Sequence, residues 1–246
     1  MSGATTASER YANAMKLSDQ SSVYRRAHSD QPCTWLFLGD SITHGALHTW
    51  GSRDYVERFD EAIRWGLGRR GDVVINTAFS GMNIKSVSDE LDHRCLRFPA
   101  DVVSVTVGMN DCNAAATGVE AFTETYQRVI DRLRQETTAA IFLQTQNTID
   151  VTNSPGRAAL PEYMQAVRDM ATANDLPVCD HYAVWDRYSG TAGKQIFYLL
   201  NDPVHPGAEG HLLMARTLVG WLGYDNASAG LPHFTHLDDF DPVIDA

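Results

Sequence analysis

The chain has 246 residues, of which 43% are hydrophobic, and its net charge is −11. That length suits a single α/β domain with one sizeable core. The excess of 31 acidic over 20 basic side chains argues against nucleic acid as a partner, because phosphate binding needs clustered cations. No run approaches the ~20 apolar residues of a membrane helix, and the first 30 residues lack the apolar centre of a signal peptide. We therefore expect a cytoplasmic protein that does not insert into membranes.

Composition divides the chain into three parts. Residues 1–30 are polar and are interpreted as an N-terminal extension, with a predicted helix over Ser8–Leu17. Residues 31–223 carry the patterned segments of one folded domain, and residues 224–246 form an acidic C-terminal tail. Four cysteines match no zinc-binding spacing, and all but Cys112 flank or occupy apolar runs, so we expect free thiols rather than disulfides, buried at those three positions. The four cysteines are Cys33, Cys95, Cys112 and Cys179.

Five short apolar runs predict strands, since aliphatic and β-branched residues without strict alternation are typical of strands covered on both faces. In chain order they are Trp35–Leu38, Val73–Ile75, Val102–Val107, Ala139–Leu143 and Leu176–Cys179. Apolar residues at three- and four-residue spacing predict the helices. These are Tyr55–Gly68, Ile84–Arg97, Val119–Glu136, Ala158–Ala173 and Ala208–Leu222. The alternation of strands and helices predicts a parallel sheet with helices on both faces.

Polar clusters follow the first three strands, and a fourth precedes the last helix. They are Gly39–Thr43, Ser80–Asn83, Gly108–Asp111 and Asp202–Pro206. Open parallel sheets place their sites at the carboxyl ends of the strands. We therefore expect the four clusters to meet at one edge of the sheet.

Together the clusters contain the groups that nucleophilic hydrolysis requires. A serine hydroxyl such as that of Ser41 is a weak nucleophile until a base takes its proton and a third group orients the base. Asp202 and His205 lie three residues apart in a loop that two prolines stiffen, so they are predicted to supply these two roles. The donors expected for an oxyanion are the backbone N–H groups of Ser41 and Gly81 and the side-chain amide of Asn110.

In this order, the four clusters resemble the GDSL, or SGNH, hydrolase family over roughly Trp35 to Leu222, with Ile42 where the family motif often has leucine. The resemblance implies a flavodoxin-like three-layer α/β/α sandwich with a five-stranded parallel sheet of order 2-1-3-4-5. It also implies hydrolysis of a small-molecule ester without metal or cofactor, with Ser41 as nucleophile, Asp202 and His205 completing the triad, and Gly81 and Asn110 joining the Ser41 amide in the oxyanion hole. The lack of a long apolar insertion favours short acyl chains, such as acetyl on a sugar or small alcohol.

Other functions remain open from the sequence. The same site would serve an acyltransferase or a thioesterase. Oxygen and imidazole ligands for a metal-dependent hydrolase are also present, although without a fixed-spacing pair such as His-Glu-x-x-His. Those ligands would be Asp40, His44, Asp202, His205 and His211. A non-catalytic carbohydrate- or nucleotide-binding module is a further alternative, but no Gly-x-Gly-x-x-Gly follows a predicted strand. The oligomeric state is left open.

Supporting roles can be assigned to several neighbours of these clusters. Asp40 is expected to bond nearby backbone and fix the serine turn, and Asp111 to cap the helix after the third strand. His44 and His48 are expected to line the pocket or face solvent without a catalytic role, and His211 to be structural. Five aromatic residues near the site could shape an acyl or leaving-group pocket, but ordinary packing is the favoured interpretation. They are Trp50, Trp185, Tyr188, Phe197 and Tyr198.

Overall fold

The computed structural model describes residues 16–113, 118–226, 229–232, 237 and 240–242. Five strands form one sheet in the order β2-β1-β3-β4-β5, and every adjacent pair is parallel. The strands are β1 (Thr34–Gly39), β2 (Val73–Asn76), β3 (Val102–Thr106), β4 (Ala140–Gln144) and β5 (Val178–Cys179). The predicted α/β/α fold and strand order are confirmed.

Eight α-helices occur in the described ranges of the chain. They are α1 (Ser22–Ala27), α2 (Ser41–His44), α3 (Tyr55–Glu61), α4 (Ile84–Asp89), α5 (Val119–Glu136), α6 (Leu160–Ala173), α7 (His181–Gly190) and α8 (Ala208–Trp221). Short 3-10 turns cover Pro155–Arg157 and Ile196–Tyr198. None of the helices within those ranges combines the length and the apolar character that crossing a bilayer would need.

Several predicted bounds differ from the structure. The helices predicted over Tyr55–Gly68 and Ile84–Arg97 leave the α conformation early and finish in π-helical turns at Ala62–Gly66 and Asp92–Leu96. The last strand is shorter than predicted because Pro177, which has no N–H, offers β4 only its carbonyl, to the Leu143 N–H. The helix predicted over Ser8–Leu17 lies outside the described residues, apart from its last two positions.

The central strands supply the core on which the site stands. All residues of β3 and β4, and all but the first of β1, are buried, as expected for strands covered on both faces. Trp35 and Phe37 on β1 pack edge-on against Phe59 of α3, with ring centroids 5.2 and 5.4 Å apart. All four cysteines are buried free thiols, as predicted for Cys33, Cys95 and Cys179, and Cys112 is buried as well. The carboxyl ends of β1 and β3 are therefore held rigidly next to each other.

The described residues of the C-terminal tail pack against this body. Ala229, Leu231, Leu237 and Phe240 are all buried. The Phe240 ring meets Tyr188 of α7 edge-on at 5.2 Å and lies 4.3 Å from the Arg187 guanidinium carbon. These contacts bury apolar surface that α7 would otherwise expose.

Candidate active site

The turn from β1 into α2 places Ser41 at the edge of the sheet. Asp40 caps α2: its Oδ1 accepts from the Ile42 N–H at 3.0 Å, and its Oδ2 accepts from the Gln146 amide at 2.8 Å. Gly39 is required here, because a Cβ would come within 2.4 Å of Thr43 Oγ1. Burial raises the pKa of Asp40 to about 7. The prediction that Asp40 fixes the serine turn is confirmed.

Ser41, His205 and Asp202 form a continuous hydrogen-bonded chain. Ser41 Oγ lies 3.0 Å from His205 Nε2, and His205 Nδ1 lies 2.8 and 3.0 Å from the two oxygens of Asp202. An ionised carboxylate only accepts hydrogen bonds, so Nδ1 carries the proton that points at Asp202. Nε2 of a neutral ring is then the acceptor for the Ser41 hydroxyl. The structure brings together the three residues that the sequence singled out.

The loop that carries Asp202 and His205 is braced from within and from outside. Asp202 Oδ1 accepts from the backbone N–H groups of Val204 and His205, each at 2.8 Å. The Asn201 N–H donates to the His205 carbonyl at 2.9 Å, and the buried Asn147 amide donates to the Val204 carbonyl at 3.0 Å. These bonds fix the direction in which the imidazole points.

Electrostatics favour a charged Asp202 beside a neutral His205. Burial alone would raise the pKa of Asp202, but the N–H groups of His205 and Val204 that donate to it hold that pKa below its ordinary value. Burial lowers the pKa of His205, and the attraction of Asp202 offsets this only in part. At neutral pH the imidazole is therefore free to accept a proton.

Gly81 and Asn110, the other two residues predicted to bind the oxyanion, lie in the turns that follow β2 and β3. Gly81 has φ +88°, and nothing stands within 4 Å of the position a Cβ would take. The left-handed backbone, rather than lack of space, requires glycine here. The Asn110 Nδ2 donates one hydrogen to the Met82 carbonyl at 2.8 Å, which ties this side chain to the turn that holds Gly81. Its second amide hydrogen is not used by that bond.

His48 was expected to line the pocket or face solvent, and the structure places it directly against His205. Its ring stacks on His205 with centroids 3.5 Å apart and planes 7° from parallel. Its Nδ1 lies 3.7 Å from Asp202 Oδ2. The sequence offered no signal for this contact, because His48 belongs to an irregular loop far from His205 along the chain.

The five candidate metal ligands do not converge. The Asp40 oxygens are occupied by the Ile42 and Gln146 bonds, and His211 is buried in α8 against the Tyr55 ring. His211 is thus structural, as predicted. Asp202 and His205 meet a different third group, His48. Ring nitrogen lone pairs lie in the ring plane, so two parallel imidazoles 3.5 Å apart do not direct them at one ion.

The structure corrects the role assigned to Asp111 and adds a contact for His44. Asp111 was expected to cap the helix after β3, but its Oδ1 accepts from the Ile84 N–H at 2.9 Å and so caps α4, the helix after β2. The reason is that the β2–α4 turn ends beside the carboxyl end of β3. His44 braces the turn at Gly81, because its Nδ1 accepts from the Ser80 N–H at 3.2 Å.

The aromatic residues divide into two groups. Trp185 and Tyr188 are buried in the core, which confirms the packing interpretation for them. Trp50, Phe197 and Tyr198 are 74%, 59% and 36% exposed, so packing in the core is wrong for these three. Trp50 also has φ +51°, a conformation that a bulky side chain rarely adopts and that is common at functional sites.

A parallel α/β/α sheet that carries this site at its carboxyl edge defines the class of the protein, an ester hydrolase. Residues 37–213 match the model of the GDSL-like lipase/acylhydrolase family, and the chain belongs to that family.

Known relatives agree with this placement. An acetylxylan esterase from Geobacillus stearothermophilus is 26% identical over 211 residues, which cover 77% of this chain and 94% of that protein. A crystal structure of an acetylxylan esterase from the same organism superposes with a TM-score of 0.68 at 19% identity, covering 81% of this chain and 97% of that one. An uncharacterized protein of Mycoplasma pneumoniae is 33% identical over 110 residues, but these are 43% of this chain and only 12% of that protein. The structural likeness shows the fold.

Proposed function

We propose that this chain is a serine esterase that removes short acyl groups, acetyl above all, from a sugar or small alcohol. The observation that carries this proposal is the unbroken chain of hydrogen bonds from Ser41 Oγ through the His205 ring to Asp202, at 3.0 and 2.8 Å. Serine, base and orienting carboxylate in this contact are what nucleophilic acyl transfer requires.

The proposed reaction has two halves. In acylation, His205 Nε2 takes the Ser41 proton while Oγ attacks the ester carbonyl; the carbon–oxygen bond to the alcohol then breaks, and the alcohol leaves with that proton. In deacylation, His205 takes a proton from water, the resulting hydroxide attacks the acyl-enzyme, and Ser41 recovers its proton as the carboxylic acid departs. Asp202 holds the Nδ1–H tautomer and stabilises the imidazolium throughout.

The negative charge that develops on the carbonyl oxygen needs donors that are already in place. The Ser41 N–H is one candidate, because the first N–H groups of a helix have no partner within it. The Gly81 N–H and the second amide hydrogen of Asn110 complete the proposed oxyanion hole. The two residues are connected because Asn110 donates its first amide hydrogen to the carbonyl of Met82, the residue after Gly81.

The relatives support a short acyl group on a polar alcohol. The Geobacillus relative is named an acetylxylan esterase, and three crystal structures of such an esterase are of catalytic mutants in which a serine, an aspartate or a histidine is replaced by alanine. Beside Asn110 lies a cavity of about 540 Å³ whose wall combines polar side chains, among them Asn83 and Asn113, with apolar ones, among them Ile84 and Phe122.

The direct test is a series of p-nitrophenyl esters from acetate to palmitate, with the released acid quantified. We expect kcat/KM to be highest for acetate or butyrate. A maximum at long chains would refute the substrate assignment, and transfer of the acyl group to an added sugar faster than to water would indicate an acyltransferase. Loss of activity after dialysis against a chelator, restored by zinc, would support the metal-dependent alternative instead.

A first prediction concerns the acid limb of the pH profile, which is the fall of kcat/KM at low pH. His205 acts as a base only when neutral, so activity is lost as pH falls through its pKa. Burial lowers that pKa below the ordinary value of about 6.5, and we therefore expect the limb to inflect below pH 6.5. Initial rates on p-nitrophenyl acetate, with folding followed by circular dichroism at each pH, measure this. An inflection above 6.5 in folded protein would contradict it.

Trp50 is predicted to contact the leaving alcohol. It is exposed, its backbone is strained, and it lies two residues from His48, which stacks on His205. Trp50→Ala should raise KM for an acetylated xylo-oligosaccharide about fivefold to tenfold and leave p-nitrophenyl acetate unaffected. Trp65→Ala is the matched control, since Trp65 is similarly exposed but follows α3. If Trp50→Ala leaves KM for the acetylated xylo-oligosaccharide unchanged, Trp50 does not contact the leaving alcohol.

A further inference from the structure

A second imidazole covers the outer face of the proposed base. His48, in the loop between α2 and α3, lies flat against His205 with ring centroids 3.5 Å apart. The His48 side chain is 31% exposed and that of His205 only 16%, so His48 is the outer ring of the pair. The reaction proposed above gives His48 no step.

The backbone holds this stack in place. The Asn201 side-chain amide donates to the His48 carbonyl at 2.8 Å, and the Asn201 N–H donates to the His205 carbonyl at 2.9 Å. One residue therefore ties the main chains of both histidines together. The stacked position is built into the two loops and does not depend on the choice of a side-chain rotamer alone.

A proton on His48 would act on both partners of the catalytic chain. Its charge would lie against the His205 ring and repel a second proton there. His48 Nδ1, 3.7 Å from Asp202 Oδ2, is too far for a hydrogen bond but close enough for ionic attraction, so a charged His48 would also compete for the Asp202 carboxylate. Both effects disfavour the imidazolium form of His205.

We propose that His48 is a positioning residue that keeps His205 neutral, and hence active as a base, at pH values at which an unshielded imidazole would already be protonated. This inference rests on the proposed function, because His48 acts only through His205. The other charged or titratable groups that interact electrostatically with the two rings are Asp202, Arg157, His44 and His211. Of these groups, Asp202 is the one that bonds the His205 ring, and none of them stacks on it in the described parts of the chain.

The test is the pH profile of kcat and kcat/KM on p-nitrophenyl acetate for the unaltered chain, His48→Phe and His48→Ala. Phenylalanine keeps a flat cover over His205 but cannot be charged. We expect its acid limb to move to higher pH by about half a unit or more, with the plateau within about threefold of the original. His48→Ala should show the same direction of shift, together with a lower plateau kcat and little change in KM. His93→Phe, at an exposed histidine after α4, should leave the limb in place.

Two results would overturn the role of His48. One is a limb that stays in place in both variants while the rate falls equally at every pH, which indicates a purely structural contact. The other is a limb that moves to lower pH. If His48→Ala does not fold, His48→Phe alone decides between these outcomes. Failure of the proposed function is separate, since it would appear as activity that survives Ser41→Ala.

Discussion

Ser41→Ala and His205→Ala should each lower kcat by about 10⁴- to 10⁶-fold, and the double variant should be no slower than the slower single variant. The reason is the hydrogen-bonded chain itself. Without Oγ there is no nucleophile for His205 to activate, and without the imidazole the hydroxyl, 3.0 Å away, keeps its proton. Each substitution therefore removes the same concerted step. Single-turnover and steady-state rates on p-nitrophenyl acetate measure the three variants.

Two matched controls isolate this effect. Ser80→Ala removes a nearby hydroxyl that contacts His44 rather than His205, and His93→Ala removes an exposed imidazole away from the site. Both should retain most of the activity. A double variant that loses the product of the two single losses would mean that Ser41 and His205 act in separate steps, and the assigned roles would be wrong.

Asn110→Ala should cost about 10²- to 10³-fold in kcat with little change in KM, because an oxyanion donor acts on charge that develops only in the transition state. The side chain is already held by its bond to the Met82 carbonyl, so the free amide hydrogen needs no reorganisation when the oxyanion forms. Steady-state kinetics on an acetate ester separate the effect on kcat from that on KM.

Asn113→Ala is the control for Asn110, since Asn113 lines the same cavity but makes no bond to Met82. It should change kcat by less than about threefold. An Asn110→Ala variant that raises KM and spares kcat would show that Asn110 binds ground-state substrate and is not an oxyanion donor.

Chain order and residue type predicted a parallel sheet with polar clusters at its carboxyl edge, whereas the strand order was implied only by the family resemblance. In a parallel sheet every strand ends on the same side, and the implied order puts β3 next to β1, so Ser41 after β1 and Asn110 after β3 were expected to lie close together. The loop with Asp202 and His205 could be placed near Ser41 by chemistry, because a serine hydroxyl becomes a nucleophile only when a base takes its proton. The hydrogen-bond distances themselves come only from the structure.

Contacts between irregular loops could not be read from periodicity. His48 reaches His205 because the Asn201 amide holds the His48 carbonyl, a bond between segments that share no repeating pattern. Trp50 was expected to pack, since most tryptophans do, but the loop turns its side chain outward. Both residues matter to the proposed mechanism, and both lie in the same short loop.

Helix α7 was missed for a different reason. Its sequence contains Tyr182, Val184 and Trp185, which have modest helix propensity and are enriched in strands. Burial of Trp185 and Tyr188, together with the Asp180 cap that accepts from the Ala183 N–H, outweighs that preference. The aspartate cap ahead of apolar residues at helical spacing was the available signal.

The most direct measurement is covalent labelling with an activated organophosphonate, followed by intact mass and peptide mapping. A serine that His205 activates should take up one phosphonyl group per chain, on Ser41, with parallel loss of esterase activity. Ser41→Ala should take up none, and His205→Ala should react far more slowly. An unlabelled chain that still hydrolyses esters, or an adduct on another residue, would contradict the assignment of Ser41 as the nucleophile.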